Sequence, residues 1–199
     1  VALAQGNLDA SLNHAASALE SDPGNAVNLA LAGEIQYVRD ELPQAAQSLA
    51  EALRLKQDLL IARYLYAKVN LELGDGATAK QEGLESLRLN PLHPPTYLLL
   101  GDVAASQNQY EEAKGLYETC GRLAKFTTGD VSGRAYFRLG QIFELEGSQD
   151  LAKESFQVAY HYLPELDGLK EKVKGLDTSS SVIAALAESR TYDASYFVE

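Results

Sequence analysis

One unit recurs along this chain and limits what it can fold into. A turn residue (Gly6, Asp40, Gly74, Asn108 or Gly147) is followed five positions later by a small residue (Ser11, Ala45, Ala79, Ala113 or Ala152). Seven positions beyond stands another (Ala18, Ala52, Ser86, Cys120 or Ala159). Successive copies are 34, 34, 34 and 39 residues apart, and they close at Pro23, Gln57, Pro91, Lys125 and Pro164. A further small residue recurs as Gly33, Ala67, Gly101 and Gly140. A fixed long period is the mark of a solenoid, in which each repeat packs only on its neighbours.

The register has a physical reading. Two antiparallel helices approach closely only where side chains are small, so the Gly or Ala of a first helix is expected to face an Ala or Ser of the second. Larger apolar residues flank that contact: Leu29 and Ala32, Tyr97 and Leu100, Tyr136 and Leu139 in first helices, with Leu49, Tyr117 and Phe156 in second helices. Proline ends a second helix because it cannot continue the hydrogen-bond ladder. Two positions break the pattern: Arg63 stands where an apolar residue is usual, and Gly83 replaces the large residue of one second helix.

The period of 34, the helix–turn–helix unit and the order of small, aromatic and proline positions resemble the tetratricopeptide repeat over residues 1–164. The resemblance implies an all-α fold, a right-handed α-solenoid of antiparallel helix hairpins with about five units, at 1–23, 26–57, 60–91, 94–125 and 133–164. The first unit reads as truncated, with Val1–Gln5 the end of a first helix that begins upstream. The five extra residues within Lys125–Arg134 read as a loop, marked by Thr127, Thr128, Gly129, Ser132 and Gly133, with a longer second helix in the fourth unit as the alternative. A cap helix is predicted over 165–176, with Leu166, Leu169, Val173 and Leu176 inward and Lys170, Glu171, Lys172 and Lys174 outward. Residues 177–199 form a Ser-rich hinge and an aromatic acidic tail, expected to pack on the array or a neighbour.

No constellation for catalysis or metal binding emerges, and no cofactor is expected. His14, His93 and His161 lie on separate units, without His-x3-His, Cys-x-x-Cys, GxSxG or a glycine-rich phosphate loop. Cys120 reads as a small buried residue at a helix crossing, and His93 as a solvent-facing loop residue. With 28 acidic against 17 basic residues and a net charge of −11, the chain disfavours nucleic acid and anionic membranes. No apolar run approaches the roughly 20 residues that span a bilayer, so direct membrane insertion is not expected. The single cysteine excludes an internal disulfide framework and leans toward the cytoplasm, although a periplasmic scaffold shares this composition.

The chain therefore reads as a non-enzymatic scaffold or adaptor that binds a protein or peptide. The resemblance implies that first helices line the concave side. On that stripe the candidate partner-binding residues are Tyr37, Tyr64, Lys68, Leu71, Leu98, Asp102, Arg134, Phe137, Arg138 and Gln141. The resemblance also suggests a carboxylate clamp found in some family members. Arg134 and Arg138 match two of its basic positions, whereas Tyr64, Lys68 and Leu99 occupy the other three, so the asparagine is missing. Two alternatives accompany this reading. The chain is the repeat region of a larger enzyme or regulator, or it self-associates through its N-terminal end or through Tyr192, Tyr196 and Phe197 of the tail, acting as built-in ligand or dimerising arm.

Overall fold

The computed structural model describes residues 17–18, 21–22, 24–124 and 129–179. No strand occurs among them. The helices are α1 (Ala26–Val38), α2 (Leu42–Leu55), α3 (Leu60–Glu72), α4 (Gly76–Leu89), α5 (Pro94–Ser106), α6 (Tyr110–Ala124), α7 (Gly129–Leu145), α8 (Gln149–Tyr162) and α9 (Leu169–Lys172). The fold is all-α, a solenoid of antiparallel helix hairpins, and its helices fall into two compact units divided between Pro91 and Leu92. In the first, hairpin α1–α2 packs on hairpin α3–α4 through α2 on α3 and α1 beside α3. In the second, hairpin α5–α6 packs on α7–α8 in the same manner, and α9 lies against α8.

The recurring turn residues have a common backbone task. Asp40, Gly74, Asn108 and Gly147 all adopt a left-handed conformation, with φ of 62°, 86°, 58° and 78°. In each hairpin the following amide donates to the carbonyl five residues back: Glu41 to Gln36, Asp75 to Asn70, Gln109 to Ala104 and Ser148 to Phe143, at 2.8–2.9 Å. This is the Schellman closure of a helix, and it admits Gly, Asn or Asp at little strain. At the other end of the unit, Asn90 and Leu163 leave the helical region, which a following proline disfavours.

Between the two helices of a hairpin, sizes are reciprocal. A Cβ added at Gly33 would lie 2.5 Å from Leu49, one at Gly140 2.6 Å from Phe156, and one at Gly101 would run into the Tyr117 ring. Each glycine thus accepts the large residue sixteen positions on, which corrects the expectation that an Ala or Ser of the second helix would lie opposite it: the space a missing Cβ leaves is filled by bulk. The α3–α4 hairpin reverses the arrangement, with Ala67 in the first helix and Gly83 in the second, both buried. The small positions Ala45, Ala52, Ala79, Ser86, Ala113, Cys120 and Ala159 are fully buried, and Ala152 nearly so.

Two further expectations are corrected. Ser132 and Gly133 do not lie in a loop. They are buried inside α7, which begins at Gly129, another of the residues expected in the loop, and at 17 residues is longer than the 13-residue first helices α1, α3 and α5. Their small size serves packing: the Ser132 hydroxyl donates to the Gly121 carbonyl at 3.1 Å, and Gly133 leaves room for Leu163 and Tyr162. The cap helix is a single turn rather than 165–176, because Gly168 and Gly175 take left-handed conformations on either side of it. Leu169 and Val173 are nonetheless buried. The first unit up to Ala16 and the tail from Ser180 lie outside the described residues.

Gly101→Ala tests the reciprocity. Alanine favours a helix interior over glycine by about 1 kcal/mol, yet here overpacking against Tyr117 should destabilise the protein by about 1–3 kcal/mol. Urea unfolding reads the difference; an unchanged or raised midpoint would contradict the packing account.

Candidate functional site

The stripe residues sit on first helices, and the packing just described holds those helices side by side within each unit. In the first unit, Tyr37 of α1 donates its hydroxyl to Glu72 Oε1 of α3 at 2.7 Å, and Lys68 Nζ stands 4.8 Å from the centre of the Tyr37 ring. Burial, and then the bond to Glu72, raise the Tyr37 phenol far above its ordinary range. Tyr64 and Leu71 are half-buried on α3. Near the N-terminal ends of the two helices, Val27 and Ile61 hold the same place in the repeat, and each is 55% exposed.

In the second unit, Asp102 of α5 is the hub. Its Oδ1 accepts the Tyr117 hydroxyl from α6 at 2.7 Å and lies 3.2 Å from Arg138 Nε of α7. Burial, followed by the Asp102 charge, pushes the Tyr117 phenol well above its usual range. Arg138 Nη1 also donates to Gln141 Oε1 at 3.4 Å. Arg134 pairs with Asp130 at 3.1 Å on an exposed surface, and Phe137 packs on Phe156 with ring centres 5.8 Å apart. Leu98 is half-buried. Lys172 of the terminal turn meets Glu144 at 2.5 Å and lies over the Phe156 ring.

The sequence-predicted residues are therefore gathered in two sets, Tyr37, Tyr64, Lys68 and Leu71 in one unit and Leu98, Asp102, Arg134, Phe137, Arg138 and Gln141 in the other. Most of their polar groups are engaged within the protein. Leu99, at one clamp position, is buried, and Lys68 and Arg138 each already have a partner in the protein. Tyr192, Tyr196 and Phe197 lie outside the described residues. Sequence reasoning missed Glu72 and Lys172 as members of this surface, and the buried Tyr117 as the group beneath it that holds Asp102. Only Glu72, four residues after Lys68, carried a local signal.

Cys120 is fully buried, and burial pushes its thiol up to about 12. His93 is not solvent-facing: it caps α5, half-buried, with Nδ1 2.7 Å from Thr96 Oγ1. Burial lowers its pKa. Among the described residues no group of three or more His, Cys, Asp and Glu could hold a metal ion, and no helix is long and apolar enough to cross a membrane.

The fold has known relatives. The tetratricopeptide repeat family matches residues 94–125 and 133–160. A curated relative, the PsbB mRNA maturation factor Mbb1, chloroplastic, of Chlamydomonas reinhardtii, is 27% identical over 136 residues, 64% of this chain. The chain spans 20% of that relative's length. Among solved structures, TTC0263, a thermophilic TPR protein in Thermus thermophilus, superposes with a TM-score of 0.69 at 18% identity, covering 85% of this chain and 90% of that one. YrrB, a TPR protein with an unusual peptide-binding site, gives 0.62 at 18% identity, covering 87% and 91%. Residues 94–125 and 133–160 thus carry tetratricopeptide repeats, and the fold is that of the solved TPR structures.

His93 yields a pH prediction. A group whose folded pKa lies below its unfolded value favours the native state while neutral, so that stability is present above the ordinary value of 6.5 and is lost as pH falls below it. The stability of wild type relative to His93→Gln should decline between about pH 7.5 and about pH 5.5, read from paired urea midpoints. A difference independent of pH would contradict the buried neutral imidazole.

Proposed function

We propose that the first-helix face of each unit receives a segment of a partner protein, with apolar and aromatic side chains as the contact and no chemistry performed on the ligand. The observation that carries this is the pair Val27 and Ile61, two large apolar residues repeated at one register and left open to solvent on a surface otherwise fixed by internal bonds. An isolated exposed valine needs no explanation, but a repeated pair beside the half-buried Tyr64 has the composition of a binding patch. The bonds Tyr37–Glu72 and Asp102–Arg138 support the same reading by holding the face rigid, which lowers the entropy lost on association. The peptide-binding site named for YrrB adds support from a similar fold. RNA contact is not part of this reading, because 28 acidic residues against 17 basic ones repel phosphate.

The test uses a displayed library of short random peptides selected on the full chain. Val27→Asp/Ile61→Asp should weaken recovered peptides about tenfold or more, the equivalent of about 1.4 kcal/mol, and Arg134→Glu should weaken those that use the second unit. Carboxylates near helix N-termini are tolerated, so helicity and melting should hold for the aspartate pair. Peptides indifferent to all three changes would reject the face.

A further inference from the structure

The first unit has a second polar feature, away from the residues discussed above. Between α2 and α4, over α3, lies a cleft of about 400 Å³ lined by Gln57, Arg63, Tyr66, Gln81, Glu82 and Glu85 among others. Sites for small ligands and peptide side chains run from about 300 to 1,000 Å³. The cleft exists because the repeat departs from its own rule here. Where other first helices carry Leu29, Tyr97 and Tyr136, this one carries Arg63, and where other second helices carry Ser48, Leu116 and Ser155, this one carries Glu82. Arg63 is 9% exposed; its Nη1 pairs with Glu82 and its Nη2 donates to the Gln57 carbonyl at 2.7 Å. Its Nε is buried with no partner.

Every charge around the cleft is already matched inside the protein: Arg63 with Glu82, Arg54 with Glu51, and Glu85 with Arg88. Among the described residues, the groups that remain uncommitted are of another kind. They are the side-chain amides of Gln57 and Gln81 and the Tyr66 hydroxyl. Amides and a phenol both donate and accept without net charge. An anion would face Glu82 and Glu85, and a cation would face Arg54 and Arg63. The group that complements neutral donors and acceptors along a cleft is the peptide unit, with one N–H and one carbonyl per residue.

We infer that this cleft is a second docking site, which holds an uncharged stretch of extended polypeptide through its backbone, with the exposed amides of Gln57 and Gln81 as the main contacts. The site is distinct from the first-helix faces, and its test is arranged so that the two readings fail separately. The full chain carrying Val27→Asp, Ile61→Asp and Arg134→Glu, which disable those faces, serves as bait for the displayed library of short random peptides. Recovered peptides are then measured by calorimetry on that bait and on the same bait with Gln57→Ala and Gln81→Ala, both exposed positions whose truncation leaves the core untouched. The expected result is near-neutral peptides that lose about tenfold or more in affinity when the glutamines are removed, and also when their own backbone amides are methylated. The inference is overturned by recovery of no peptide, by peptides of strong net charge, or by peptides whose affinity survives the two alanines.

Discussion

The close approach of two helices within a hairpin governs the rest of this structure. Gly33, Gly101 and Gly140 each leave a space that the side chain sixteen residues later fills, so every such hairpin has a single register in which glycine and bulk coincide. The turn must bring the helices back at the right spacing, and the left-handed residue at Asp40, Gly74, Asn108 and Gly147 does so with a repeated pair of backbone bonds. Sliding one helix by a turn would put Leu49, Tyr117 or Phe156 against backbone instead of space. Close packing makes such states expensive.

Tyr117 shows how this core contact reaches the surface. Its ring occupies the room left by Gly101, while its buried hydroxyl donates to the part-exposed Asp102, which in turn holds Arg138 of the next first helix. One residue therefore fixes both the spacing within a hairpin and the pairing between hairpins of that unit. In the first unit Tyr37, Glu72 and Lys68 make the corresponding link between α1 and α3 by different chemistry. The first helices of each unit are tied together as a result.

The repeat and its small positions were legible in the residues, because a period displays side-chain size at a fixed spacing, but the pairing was not: small was expected opposite small, whereas Leu49, Tyr117 and Phe156 fill the space at the glycines. The small positions of the described units and the burial of Cys120 could be read in that way. Ser132 and Gly133 were misread for an instructive reason. Small and polar residues mark loops, but the same residues permit a helix to lie close to Gly121 and Leu163, and local sequence does not separate the two. The short terminal turn was misjudged because glycine was weighed less than apolar spacing, whereas Gly168 and Gly175 both take conformations that end a helix. The engagement of Lys68, Asp102 and Arg138 could not be seen at all, since their partners lie on other helices.

The central claim is that glycine and bulk are matched across a hairpin, and a double-mutant cycle on Gly33 and Leu49 measures it most directly. Gly33→Ala introduces overlap and Leu49→Ala leaves a void, so each alone destabilises; combined, the new methyl enters the vacated space. The account predicts that the double variant is more stable than the sum of the single losses by about 1 kcal/mol or more. Strict additivity, with the two residues behaving as strangers, would contradict it.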